Sequence, residues 1–205
     1  MADRVHGVPA PPTTSAIEFA DWDSEDLSGR VYERVAFREV DLTESTGDGA
    51  VFVECTFRSA RFNASTYTDS AFLNCTFTNS SFFDATFTRC KLVGSMFDRC
   101  TFDLLKVKGG DWSLTGLPGA PLGSASFVDA RMREADLTGA RCEGATLRNV
   151  DLSGALLHSA DFTRADLRGS DLSTLDPLVV RLGRARVDIT QAVAIATALG
   201  LNVEP

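Results

Sequence analysis

Histidine is scarce in this chain, with only His6 and His158 among 205 residues. That leaves little material for general acid–base work or imidazole metal ligation. No CxxC pair, His-bearing ligand cluster, nucleophile elbow, P-loop or dinucleotide fingerprint occurs. The sequence therefore points away from an enzyme, and no cofactor or metal is expected. Long apolar runs are missing too, so no segment reads as a transmembrane helix. The opening residues, MADRVHGVPAPPTTS, lack the apolar core of a signal peptide, which makes a cytoplasmic protein the expectation. Residues 1–15, rich in Pro, Thr and Ala, read as a disordered tail. Positive charge is in deficit: 20 Lys and Arg face 28 Asp and Glu, a formal net charge of −8. That balance disfavours direct contact with nucleic acid or an anionic membrane.

What the chain does have is a period. From Ile17 to Leu172 every fifth residue is large and apolar, except Gly47 and the small Cys142. The series runs through Trp22, Leu27, Tyr32, Phe37 and Leu42, then Phe52 to Phe102, then Val107, Trp112 and a mostly leucine stretch. The frame holds for 32 consecutive positions without insertion or deletion. Two residues before each large one stands a mostly small one, such as Cys55, Ala60, Ser65, Ser70 and Cys75. A period of five fits neither a strand, which repeats at 2, nor a helix, which repeats near 3.6. These side chains share one interior only if the backbone turns a corner in every repeat and closes into a coil. A small residue at one inward position makes room for a large one at the other.

The unit, as in ADLTG (Ala135 to Gly139), ADFTR and CTFTN, resembles the A(D/N)LXX repeat of the pentapeptide-repeat family. Members of that family wind four repeats into each square turn of a right-handed quadrilateral parallel β-helix. The resemblance implies coils of about 20 residues over residues 16–176. At the ~4.8 Å strand spacing, roughly eight coils make a rod about 38 Å long. Weak turn signals at Gly109-Gly110 and at Leu117 to Pro121 suggest a distortion within residues 104–124. Four of the five cysteines, Cys55, Cys75, Cys90 and Cys100, fall in the small inward set, and Cys142 falls in the large one. They read as buried small hydrophobes.

Beyond Asp176-Pro177 the repeat is expected to end, since proline cannot donate to a ladder. Residues 177–205 read as a C-terminal strand at Leu178, Val179 and Val180, followed by a short α-helix from Thr190 to Leu199. Asp188 and Gln191 form its capping box and Gly200 its C-terminal stop. The helix is too apolar at Val193, Ile195, Ala196 and Leu199 to stand free, and the end of a solenoid needs a cap.

With the core accounted for, function is expected on the outward positions. Folded by 20, one face collects Asp21, Asp23, Asp41, Glu44, Asp84, Asp103, Glu143 and Asp161 against Arg61, Arg141 and Arg164, a net charge of −5. Such a coat keeps a rod soluble, and it is also a surface able to imitate the phosphates of a duplex. The segments RVDITQAVAIATALGL, FADWDSEDLSG, SAFLNCTF and KLVGSMF further resemble the MfpA, Qnr and albicidin-resistance branch of the family. Members of that branch bind DNA gyrase in place of DNA and dimerise end to end. The resemblance implies gyrase as partner through the acidic face. It also implies a homodimer through Leu178, Val179, Val180, Val193, Ile195, Ala196 and Leu199. A competing reading is an interaction scaffold that docks through the aliphatic stack of Val53, Leu73 and Val93.

Overall fold

The computed structural model describes residues 11–204. The chain winds as a parallel β-solenoid in which paired residues lie twenty places apart. Phe37 lies over Ile17, Phe57 over Phe37, Tyr67 over Gly47 and Phe72 over Phe52. Among the described residues, fourteen strands of three or four residues form sheets of five, six and three strands on three sides. The fourth side is joined by single bridges, Asp21 to Asp41 to Arg61 to Ser81 to Thr101. Of the expected tail, residues 1–10 lie outside the described residues. The coil begins slightly early, with Thr14 N–H donating to Arg34 O and a strand at Ser15–Glu18.

The square section comes from the backbone at the corners. Two residues after most of the large ones, the chain takes a left-handed φ, near +54° at Glu44, Asn74, Asp84 and Arg99. An L-residue pays roughly 1 kcal/mol for that conformation, offset by the buried side chain each corner turns inward. Gly110 meets a stricter demand, because a Cβ there would lie 2.2 Å from Cys90 O.

Two kinds of corner follow, and they explain the small residues. At closed corners the N–H of the small residue bonds back to the carbonyl of the large one, as Ala85 N–H to Phe82 O at 3.2 Å and Ala165 N–H to Phe162 O at 3.0 Å. At several open corners that N–H instead donates to a serine hydroxyl of the next coil. Ala50 N–H meets Ser70 Oγ at 3.0 Å, Cys75 N–H meets Ser95 Oγ at 3.1 Å and Val150 N–H meets Ser170 Oγ at 2.9 Å. The same hydroxyls donate onward, Ser95 to Phe72 O and Ser170 to Leu147 O, both at 2.7 Å. A buried hydroxyl is thus fully partnered where a backbone pair would otherwise be left open. The five cysteines are free and buried, and Cys75 Sγ reaches Phe52 O in the same way at 3.4 Å.

Stacked aromatic rings fill the first coils. Phe37, Phe57, Phe77 and Phe97 lie face to face at 4.6–4.8 Å, and Phe62, Phe82 and Phe102 form a second column. Gly47 leaves no gap, because the ring of Tyr67 occupies its space and a Cβ on Gly47 would lie 2.6 Å from Tyr67 Cδ1. The Tyr67 hydroxyl sits 3.0 Å from Ser45 Oγ, whose own proton goes to Leu42 O. Beyond Trp112 the core turns to leucine with alanine.

Three expectations are corrected. Residues 104–124 keep the frame, with Val107, Trp112, Leu117 and Leu122 fully buried. The irregularity shrinks to a missed ladder step at Pro121, which has no N–H to give. The repeat does not end at Asp176: bridges join Asp161 to Arg181 and Asp166 to Arg186, and Leu182 and Val187 continue the inward series. Pro177 sits at a turn, where a missing donor costs nothing. Leu178, Val179 and Val180 belong to that turn and form no strand. The helix is present over Ile189–Ala198, with both halves of the capping box formed between Asp188 and Gln191. Gln191 Nε2 also donates to Leu167 O and Ser170 O at 2.7 Å, fastening the helix to the coil.

Candidate partner-binding faces

The acidic residues grouped by counting do share the side held by single bridges, but they are of two kinds. Aspartates just before the large residue do corner work: Asp21, Asp41 and Asp161 each accept the N–H of the residue two places on, at 3.2, 3.1 and 2.9 Å. Asp136 and Asp151 do the same on other sides. This Asx bond is why the repeat favours Asp at that place. Two of these are also neutralised by arginine one coil up, Asp41 by Arg61 at 2.6 Å and Asp161 by Arg181 at 3.2 Å. The Arg61 guanidinium, helped by Thr43, holds the Asp41 carboxyl down at about 2.

The other acids, Asp23, Glu44, Asp84, Asp103 and Glu143, stand after the large residue and make no such turn bond. Asp84 pairs with Lys106 at 2.5 Å, whereas Asp23, Glu44, Asp103 and Glu143 have no ion pair among the described residues. Of these four, Asp103 accepts a hydrogen bond from Ser124 Oγ at 3.4 Å, the hydroxyl that also takes the N–H of Leu104 at 3.0 Å. The sequence hides this division, because hydrogen-bonded and idle aspartates look alike in it.

Continuation of the coil past Asp176 changes the charge of this side. Arg181 and Arg184 join it, so its net falls from −5 to −3. The distribution is uneven. As far as Asp103 there are six acids and Arg61; from Arg141 onward there are Glu143 and Asp161 against Arg141, Arg164, Arg181 and Arg184. Two apolar side chains also project here, Phe83 at 49% and Leu104 at 48% exposure. Both are apolar residues at outward places of the five-residue frame, which is the sequence signal that marks them.

The aliphatic stack exists on another side, where Val53 lies in register with Leu73, both half-buried. At the C-terminal end, Leu178, Val179, Val193 and Leu199 are exposed, with Leu178 at 77%. Val180 is buried, and Ile195 packs against the core. A groove of about 300 Å³ opens there between the last coil and the helix, lined by Leu182, Val187, Ala192, Ala196, Leu199 and Leu201 among others. His158 is exposed. No group of three or more His, Cys, Asp or Glu among the described residues is arranged to hold a metal ion. No helix among the described residues is long and apolar enough to cross a membrane.

Fold and faces together define a parallel β-solenoid with outward charged ladders. A stretch in its second half matches the family model for pentapeptide repeats, eight copies over residues 119–154 and 135–173. The chain keeps the same frame and coil through the rest of its described repeats. Among solved structures it is similar to trypsin-treated QnrB1, a plasmid-mediated fluoroquinolone resistance protein. Identity is 22%, coverage 93% of this chain and 100% of that one, and the TM-score 0.50. It is also similar to HetL, a pentapeptide-repeat protein involved in heterocyst differentiation regulation from the cyanobacterium Nostoc sp. strain PCC 7120. There identity is 19%, coverage 85% and 86%, and the TM-score 0.51. No curated protein matches the sequence significantly. Two such different roles on one coil show that the fold alone does not decide function.

Proposed function

We propose that this is a non-enzymatic, cytoplasmic protein that binds the DNA-gripping surface of DNA gyrase, competes with the duplex and shields the enzyme from poisons such as fluoroquinolones. The observation that carries this reading is the set of carboxylates without an ion pair at Asp23, Glu44 and Asp103, which stand on one side of the rod. The QnrB1 likeness and the resistance-branch segments support the choice of partner. A duplex carries about one negative charge per ~1.7 Å, far denser than this side. Imitation therefore rests on shape and a few placed charges. The apolar groove and the exposed Leu178, Val193 and Leu199 support an end-to-end homodimer.

The test is gyrase supercoiling with purified protein, with and without a quinolone. Inhibition is expected from the wild type and loss of it from Asp23→Lys/Glu44→Lys/Asp103→Lys, whose sites hold no ion pair that the reversal would break. Unchanged inhibition by that variant would rule out the acidic side as the site. The Val53 and Leu73 stack favours a second reading, a scaffold without topoisomerase contact. Capture of gyrase from lysate by the wild type separates the two.

A further inference from the structure

Resting on the gyrase reading, we infer that the contact is confined to the acidic half of the bridged side, from Asp21 to Asp103, and is anchored there by Phe83 and Leu104. The partner surface it fits is basic around an apolar pocket.

The sign of the charge sets the limit. A surface built to hold phosphate is positive. It is attracted to the half carrying six acids and Arg61, and repelled by Arg141, Arg164 and Arg184 further along. None of these three arginines forms an ion pair among the described residues, so their charge is uncancelled. The uncharged row of Pro121, Gly123 and Ser124 separates the two halves.

The anchor is inferred from two side chains with no part in the coil. Phe83 and Leu104 stand on successive coils of this side, each about half exposed. Leu104 holds a φ of 60°, a conformation in which its bulk is unfavourable and its burial small. Asn or Gly would fit that corner better. Phe83 is outside the ring columns that stack Phe62, Phe82 and Phe102. Their neighbours are acids: Asp84 follows Phe83, Asp103 precedes Leu104, and Asp84 N–H donates to Asp103 O at 2.8 Å, setting the two coils side by side. Single exposed apolar residues are ordinary. An aromatic and a leucine on adjacent coils, flanked by Asp103 and by Asp84 with its Lys106 partner, form an apolar anchor with a charged rim, the usual arrangement of a binding hot spot. DNA offers no such group, so this contact goes beyond imitation of a duplex.

The experiment measures the dissociation constant for gyrase across a salt series with four proteins. Phe83→Ser/Leu104→Asn is expected to bind roughly tenfold to a hundredfold more weakly, with the salt dependence of the wild type. Asp23→Lys/Glu44→Lys/Asp103→Lys is expected to weaken binding and flatten that dependence. Arg141→Glu/Arg164→Glu/Arg184→Glu is expected to bind as well as the wild type or better. Wild-type affinity for Phe83→Ser/Leu104→Asn overturns the anchor, and weakened binding by the arginine variant overturns the confinement to one half. A wild type that does not bind gyrase overturns the proposed function, and this contact with it. Because both anchor sites face outward and Asn suits a φ of 60°, unchanged melting is expected for that variant.

Discussion

The N-terminal and C-terminal halves of the solenoid solve one packing problem with different residues. In the first, aromatic rings stack in columns, and the small inward positions mix Ser, Cys and Ala. In the second, Leu, Met and Cys142 replace most of the rings, leaving Phe127 and Phe162, and the small positions are mostly alanine. Stacking at 4.6–4.8 Å matches the rise of one coil, so each ring touches its copy above and below across its whole face. A leucine column has no flat face and interlocks by shape. The aromatic half also bears the acidic surface and the exposed Phe83, while the leucine half bears the arginines and the C-terminal helix. Core chemistry and surface charge therefore change together along the rod.

The largest expected effect breaks a column. Phe77 lies between Phe57 and Phe97, both at 4.8 Å, and Phe77→Ala should cost about 4 kcal/mol, against about 3 kcal/mol for Leu137→Ala in the other half. Denaturant unfolding of the two variants checks the difference. Equal losses would show that the rings contribute no more than their volume. Next is Gly47→Ala, whose Cβ meets Tyr67 Cδ1 at 2.6 Å and should cost about 1–3 kcal/mol. Pairing it with Tyr67→Leu should recover part of the loss, read from melting temperatures. Third, Ser95→Ala in the aromatic half and Ser170→Ala in the leucine half each strand the N–H of an open corner, Cys75 or Val150. Each should cost about 1–3 kcal/mol, and similar losses would show that corner chemistry is indifferent to the core beneath it.

The smallest effect concerns the surface. Arg61→Ala removes an exposed pair and should cost about 0–1 kcal/mol at neutral pH. Because Arg61 holds the Asp41 carboxyl at about 2, below the usual value, the stability it lends is present above roughly pH 4 and lost as pH falls through about 2. The variant and the wild type should therefore converge in acid, as measured by unfolding across that window. Thiol chemistry gives a further check on the core: burial pushes Cys90 up to about 11 and Cys100 and Cys142 up to about 12. Alkylation of native protein should be slow at all three and become fast only on unfolding.

The five-residue count made the coil readable without coordinates, since a frame kept from Ile17 to Leu172 admits one kind of closure. The capping box at Asp188 and Gln191 was equally plain, because its two bonds are local. The strand expected at Leu178 to Val180 failed for a contextual reason. Those residues are apolar enough for a strand but stand at a corner, and Pro177 occupies an inward place without ending the frame. The candidate site was only half legible. Counting by 20 placed these acids on one side but could not say which of them accept a backbone N–H or meet an arginine. It also stopped the side short of Arg181 and Arg184.

Sequence by itself determined the period, the inward set and hence the solenoid, because spacing along the chain fixes which side chains turn in together. The tertiary structure decided which carboxylates remain unpaired, how Tyr67 fills the place of Gly47, and where the charged side changes sign. Each depends on residues twenty apart meeting across a coil, and contact between neighbouring turns is a property of the wound chain alone.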